Sequence, residues 1–205
     1  MLARRTTLLL CGLALYGLSL TLLLRADLGL DPWDVFHQGL ADTVGWSLGT
    51  VIVLTSFAVL ALWIPLRERP GVGTVANAVL VGLGVEVFST VIPEINDLWL
   101  RWLLLALGVV GNGVATGMYI GAGMGPGPRD GLMTGIARRR GTVRVVRTAI
   151  ELTVLATGIV LGGTFGIGTI VYAVAIGPLA HIFLPIFTRI AQREPGATTA
   201  HAVTG

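Results

Sequence analysis

Six apolar runs constrain this chain before anything else does: residues 6–24, 47–66, 72–92, 98–120, 143–162 and 168–188. A bilayer core takes about 20 apolar residues per helix, and each run has close to that length. Backbone groups in lipid must be paired within their own segment, so the runs read as helices. The strict apolar/polar alternation of a membrane β-barrel is absent. The rest of the chain gives no material for a water-facing surface. Only 12% of the 205 residues are charged and 54% are hydrophobic, with a mean hydropathy of +0.83, against about a quarter charged in soluble domains. The expected fold class is all-α integral membrane, with six transmembrane helices. The start, M-L-A-R-R and an apolar run, resembles a signal peptide but lacks a small-x-small cleavage site, so it reads as a retained first span.

Charge placement sets an expected orientation. All 14 basic residues are arginine. With the N-terminus in the cytoplasm, 12 of them fall on the inner side: Arg4, Arg5, Arg67, Arg69, Arg129, Arg138, Arg139, Arg140, Arg144, Arg147, Arg189 and Arg193. Arg25 and Arg101 fall outside, among Asp27, Asp31, Asp34, Asp42, Glu94 and Asp97. This is the positive-inside bias of a plasma-membrane protein with both termini cytoplasmic. It accounts for the net charge of +3 without nucleic acid as a partner.

The chain also repeats itself. At an offset of 96, Gly12 pairs with Gly108, Gly17 with Gly113, Gly29 with Gly125, Pro32 with Pro128, Asp34 with Asp130, Gly39 with Gly135 and Gly45 with Gly141. At an offset of 95, Gly71-x-Gly73-Thr74 matches Gly166-x-Gly168-Thr169, and Gly82 matches Gly177. Apolar matches are cheap in such a chain, whereas Gly, Pro, Asp and Thr in fixed order are not. Each unit holds three spans, so the second is expected to be inverted in the membrane. Residues 1–95 form the first repeat, 96–190 the second, and 191–205 a disordered cytoplasmic tail. Inverted repeats are typical of secondary transporters.

In both units the first span ends in a Gly-rich turn followed by x-Pro-x-Asp. In D-P-W-D, Asp31 suits an N-cap, Pro32 the first helical position and Asp34 the first turn. In G-P-R-D, Gly127, Pro128 and Asp130 take equivalent places, with Arg129 where the first copy has Trp33. The short helices expected at 32–43 and 128–139 cannot span a bilayer. They are interfacial or re-entrant, and the residues leave both open.

Ionisable groups within spans are costly and mark function. Glu86 and His181 occupy equivalent repeat positions, and Arg147 and Glu151 have the spacing of a helical pair. The candidate substrate or proton path is therefore Pro32, Trp33, Asp34, Glu86, Arg129, Asp130, Arg147, Glu151 and His181. His37 reads as a solvated surface histidine. There is no nucleotide-binding loop in context, no H-E-x-x-H and no Cys/His metal spacing. An enzyme is not expected, nor a cofactor or a metal, and a single cysteine excludes an internal disulfide.

The motifs L-G-L-D-P-W-D-V, G-P-R-D-G-L-M with R-x-x-x-E downstream, and G-G-x-x-G-I-G-T ending in I-G-P resemble the YczE/YyaS/YitT group of bacterial integral membrane proteins, and the YczE-type branch most. The similarity covers about residues 5–190. It implies a multi-pass protein of the bacterial inner membrane, some of whose relatives are linked to secondary-metabolite production. The soluble C-terminal domain of YitT-like relatives has no counterpart here. Together these readings lead to a transporter or permease for a small molecule, whose partners are the bilayer and that substrate. The alternative is a non-transporting accessory or scaffold protein supporting a biosynthetic pathway, with a cytoplasmic enzyme or a second copy of the chain as partner.

Overall fold

The structure, a computed structural model, describes residues 1–192. The tail expected at 191–205 therefore lies almost wholly outside the described residues. Within them the chain is helical throughout: α1 (Leu2–Ala26), α2 (Pro32–Val44), α3 (Leu48–Ala61), α4 (Trp63–Leu66), α5 (Val72–Val91), α6 (Leu98–Gly121), α7 (Pro128–Ala137), α8 (Val143–Val160) and α9 (Ile167–Gln192). Five segments are long and apolar enough to cross a membrane: α1, α3 with α4, α5, α6 and α9. The α8 segment is the expected fifth span, and it forms a helix. Arg144, Arg147 and Glu151 lie on it, which lowers its apolar character below that of the others.

Local sequence explains the helix ends. Ser47 accepts from the Thr50 N–H at 3.4 Å and caps α3. Thr142 accepts from the Val145 N–H at 3.4 Å and caps α8. Pro65 has no N–H to give the carbonyl one turn earlier, and α3 breaks into α4 at Leu62.

Helix α1 packs along α6 and α5, and α6 packs along α9. Small residues set these crossings, because backbones approach where no Cβ intervenes. A Cβ on Gly12 would lie 2.9 Å from the Tyr119 nitrogen, and one on Gly108 would lie 2.8 Å from Leu23 Cγ. The main apolar core, including Leu13, Leu20, Leu23, Val85, Leu105 and Val109, fills the same region.

Two crossed latches tie the two halves of the chain together. The Gly73 N–H donates to the Met124 carbonyl at 2.8 Å, and the Gly168 N–H donates to the Leu28 carbonyl at 2.6 Å. So the turn after α6 holds the start of α5, and the turn after α1 holds the start of α9. Gly125 (φ 125°) and Gly29 (φ 115°) make these turns, a backbone region that glycine enters without steric cost. A Cβ on either would lie within 2.7 Å of a threonine hydroxyl, that of Thr74 or Thr169.

The remaining packing is unequal. Helix α3 lies against α5, where a Cβ on Gly49 would come within 2.4 Å of the Gly82 carbonyl oxygen. Helix α8 scarcely touches α9 and packs along α2 instead. There a Cβ on Gly158 would lie 2.5 Å from the Phe36 nitrogen. Gly177, the counterpart of Gly82, has nothing within 4 Å of a Cβ built on it.

Overpacking a tight contact costs about 1–3 kcal/mol. Gly158→Val is thus expected to lower the melting temperature of the purified protein in detergent by several degrees. Gly177→Ala, in open space, should leave it unchanged or slightly raised. Tryptophan fluorescence on heating checks both.

Candidate functional site

The short helices α2 and α7 start with buried residues, and side chains of their first turns meet. Asp31 caps α2, its Oδ1 accepting from the Trp33 and Asp34 N–H groups at 2.8 and 2.9 Å. Gly127 occupies the corresponding place on α7 and offers no side chain. That start is fixed from outside its own helix, where Trp63 Nε1 donates to the Pro128 carbonyl at 3.1 Å.

Arg129 joins the two tips. Its guanidinium lies 3.4 Å from Asp34 Oδ1 and 3.8 Å from Asp31 Oδ1. It also stacks over the Trp33 ring, 5.0 Å from the centroid. Sequence reasoning counts Arg129 with the cytoplasmic loop charges and Trp33 with the outer loop. The structure instead brings these equivalent positions into contact, because the Gly-rich turns fold inward rather than staying at the surface. His37 is also corrected. It is not a solvated surface residue but 1% exposed, with its Nδ1 3.0 Å from Asp34 Oδ1. It sits one turn after Asp34 on the buried face of α2.

A chamber opens beside this junction. One part, about 160 Å³, is lined by Tyr16, Asn77, Tyr119, Arg129, Asp130, Arg147 and Tyr172 among others. A smaller part, about 60 Å³, shares Tyr16, Arg129, Asp130, Arg147 and Tyr172 with it and adds Asp31, Trp33 and Glu151. Tyr119 donates its hydroxyl to Asp130 Oδ2. Arg147 Nε donates to Glu151 Oε1 at 2.8 Å, the helical pair read from the sequence. Tyr172 donates to Asn112 Oδ1 at 3.0 Å. Asp31 Oδ2 and His37 Nε2 are buried without a hydrogen-bond partner among the described residues. Burial pushes the Asp31 carboxyl above the usual carboxylate range. The Asp34 charge adds to this and Arg129 opposes it.

Residues 3–185 match the family described as "Family of unknown function (DUF6198)". The chain belongs to this family. A Haemophilus influenzae relative, "Uncharacterized protein", is 34% identical over 185 residues, covering 90% of this chain and 85% of its own. A Bacillus subtilis relative, "Uncharacterized membrane protein YczE", is 36% identical over 172 residues, covering 83% and 80%. A second Bacillus subtilis relative, "Uncharacterized protein YyaS", is 28% identical over 185 residues, covering 87% and 91%. No solved structure matches. The membrane character of this YczE-type family member rests on the named relative and on its own apolar helices.

Of the residues singled out by sequence, Pro32, Trp33, Asp34, Arg129, Asp130, Arg147 and Glu151 gather at the junction or its chamber. Glu86 and His181 do not. Both lie on exposed helix faces, and His181 Nδ1 turns back to the Gly177 carbonyl at 3.2 Å. Tyr16, Asn112, Tyr119 and Tyr172 escape a search for charge inside spans. Their signal is a neutral polar group within an apolar span. Among the described residues no cluster of His, Cys, Asp or Glu is arranged to hold a metal ion.

Removing one partner of a buried ion pair strands the other and costs about 3–5 kcal/mol. Arg129→Met is expected to destabilise the purified protein by that order. Adding Asp34→Asn should recover part of the loss. Denaturant or thermal unfolding of the two single variants and the double variant measures the coupling.

Proposed function

We propose that the chain is a six-span inner-membrane transporter of a small molecule, built from inverted repeats at 1–95 and 96–190, with both termini cytoplasmic. One observation carries this reading. The tips of two short helices, one from each repeat, converge on a single buried chamber and are tied by Arg129 and Asp34. Short helices from two repeats that end at one buried cavity are a common way for secondary transporters to build a substrate site.

The two crossed latches and the paired caps at Ser47 and Thr142 recur at the repeat spacing, which supports the internal symmetry. Arg147 and Glu151 line the chamber. This supports α8 as a sixth span whose ionisable face turns to the cavity rather than to lipid. Unequal packing supports one state of an exchange. Here α3 is docked on α5 while α8 stands away from α9, and in the other state the partnerships swap. No enzyme chemistry, cofactor or metal is invoked.

A second reading, an accessory protein that scaffolds a biosynthetic enzyme, draws on the exposed Arg139, Arg140 and Arg144. The two readings separate in proteoliposomes loaded with a pH-sensitive dye. Amino acids, amines and carboxylates are added as a panel, and protein-free vesicles are the baseline. On the transport reading, at least one compound class drives proton movement. Asp34→Asn, which weakens a charged contact, should cut that movement about tenfold or more. Glu86→Gln, away from the chamber, should not. If no compound moves protons, and charge reversal at Arg138, Arg139 and Arg140 abolishes the cellular phenotype with insertion intact, transport is wrong and scaffolding stands.

A further inference from the structure

The chamber has a side door. Where α8 parts from α9, an apolar groove of about 230 Å³ runs between Leu152 and Leu155 on one helix and Ile170, Ala173 and Val174 on the other, with Phe165 at one end. Pro32 and Glu151 line both this groove and the polar chamber. These two residues are therefore wall residues of both voids. On the other half the equivalent seam is shut, since Gly49 and Gly82 bring α3 and α5 into backbone contact. The groove wall faces outward, with Leu152 61% and Val174 71% exposed. In a bilayer those side chains meet acyl chains, so the door opens on lipid.

The charges inside are unbalanced. Asp31, Asp34, Asp130 and Glu151 stand against Arg129 and Arg147. Glu151 is matched by Arg147. Arg129 is shared between Asp31 and Asp34, Asp34 also meets the His37 ring at 3.0 Å, and Asp130 has a tyrosine hydroxyl. A buried carboxyl without a partner is costly, and Asp31 Oδ2 has no hydrogen-bond partner among the described residues. A positive ligand would relieve that deficit. Tyr16, Trp33 and Tyr172 line the same void, and aromatic faces attract alkylammonium groups.

Building on the transport reading, we infer that the substrate is an amphipathic organic cation that enters sideways from the lipid. Its apolar body lies in the α8–α9 groove, and its positive head sits among Asp31, Asp130 and Glu151. The apolar walls select for a hydrocarbon portion and the carboxylates for the charge. Glu151, at the doorway with its side chain 30% exposed, is the first acid the head would meet.

Three permanently charged or ionised probes test this on the protein in lipid nanodiscs by equilibrium dialysis: hexyltrimethylammonium, choline and hexanoate. Hexyltrimethylammonium is expected to bind at least about tenfold more tightly than choline, the equivalent of about two buried methylenes. Hexanoate should not compete. Leu152→Trp and Val174→Trp, at exposed positions that tolerate bulk, should erase the advantage of the hexyl chain and leave choline unchanged. Asp31→Asn, which keeps the cap on α2, and Glu151→Gln should weaken both cations. The inference is overturned if hexanoate binds in preference or if choline binds as well as the hexyl compound. It is equally overturned if the tryptophan variants alter only the phospholipid retained on purification. In those cases proton movement with another compound class in the dye-loaded vesicles still upholds transport, whereas silence in that assay removes both readings.

Discussion

The pairing of Arg129 with Asp31 and Asp34 is the interaction on which the rest of this molecule depends. Two helix starts, at Pro32 and Pro128, bring positive dipole ends to one place. Left to themselves they would repel. A carboxylate at each tip and a guanidinium between them offset that repulsion. The stack of Arg129 on Trp33 fills the gap between the two helices. With the tips held together, the Gly-rich turns can leave the surface, and with the turns inside a polar chamber can exist in an apolar bundle. Irregular backbone at such depth is tolerated only where protein or a wet cavity surrounds it.

Around this junction the two halves contribute unequally. Position 31 is a capping aspartate and position 127 a glycine. Position 63 is a tryptophan that fills the space against Gly131, while Gly158 lets α8 sit close to α2. The shared glycines at 82 and 177 permit either seam to close, since neither carries a side chain that would hold the helices apart. On the transport reading, a bundle with one shut seam and one parted seam, and small residues at both, would have two states that differ by packing rather than by fold.

Most of the fold was legible in the sequence. The run at 72–92 became α5 (Val72–Val91), and Asp31 and Pro32 start α2 as their chemistry dictates. The Arg147–Glu151 pair followed from helical spacing alone. The site was less legible, for physical reasons. A charge-bias rule assigns every loop arginine to water, so it placed Arg129 at the cytoplasmic face. It has no way of sensing a turn that folds inward. Glu86 and His181 look like partners because the repeat aligns them. Helices apolar on all sides, however, give no phase from which to tell an inward face from an outward one. The difference between the seams is invisible in principle, because a repeat read as a repeat implies that both seams are alike.

The crossed latches carry a consequence for how this chain is made. The carbonyl of Leu28 emerges early, yet its partner, the Gly168 N–H, is synthesised only after most of the protein has entered the membrane. The turn that positions Asp31 and Asp34 is therefore held open until the last helix arrives. Neither half can complete its polar centre alone. An insertion intermediate lacking α9 would have a loose aspartate-bearing turn in the bilayer, so assembly is cooperative across the whole length of the chain.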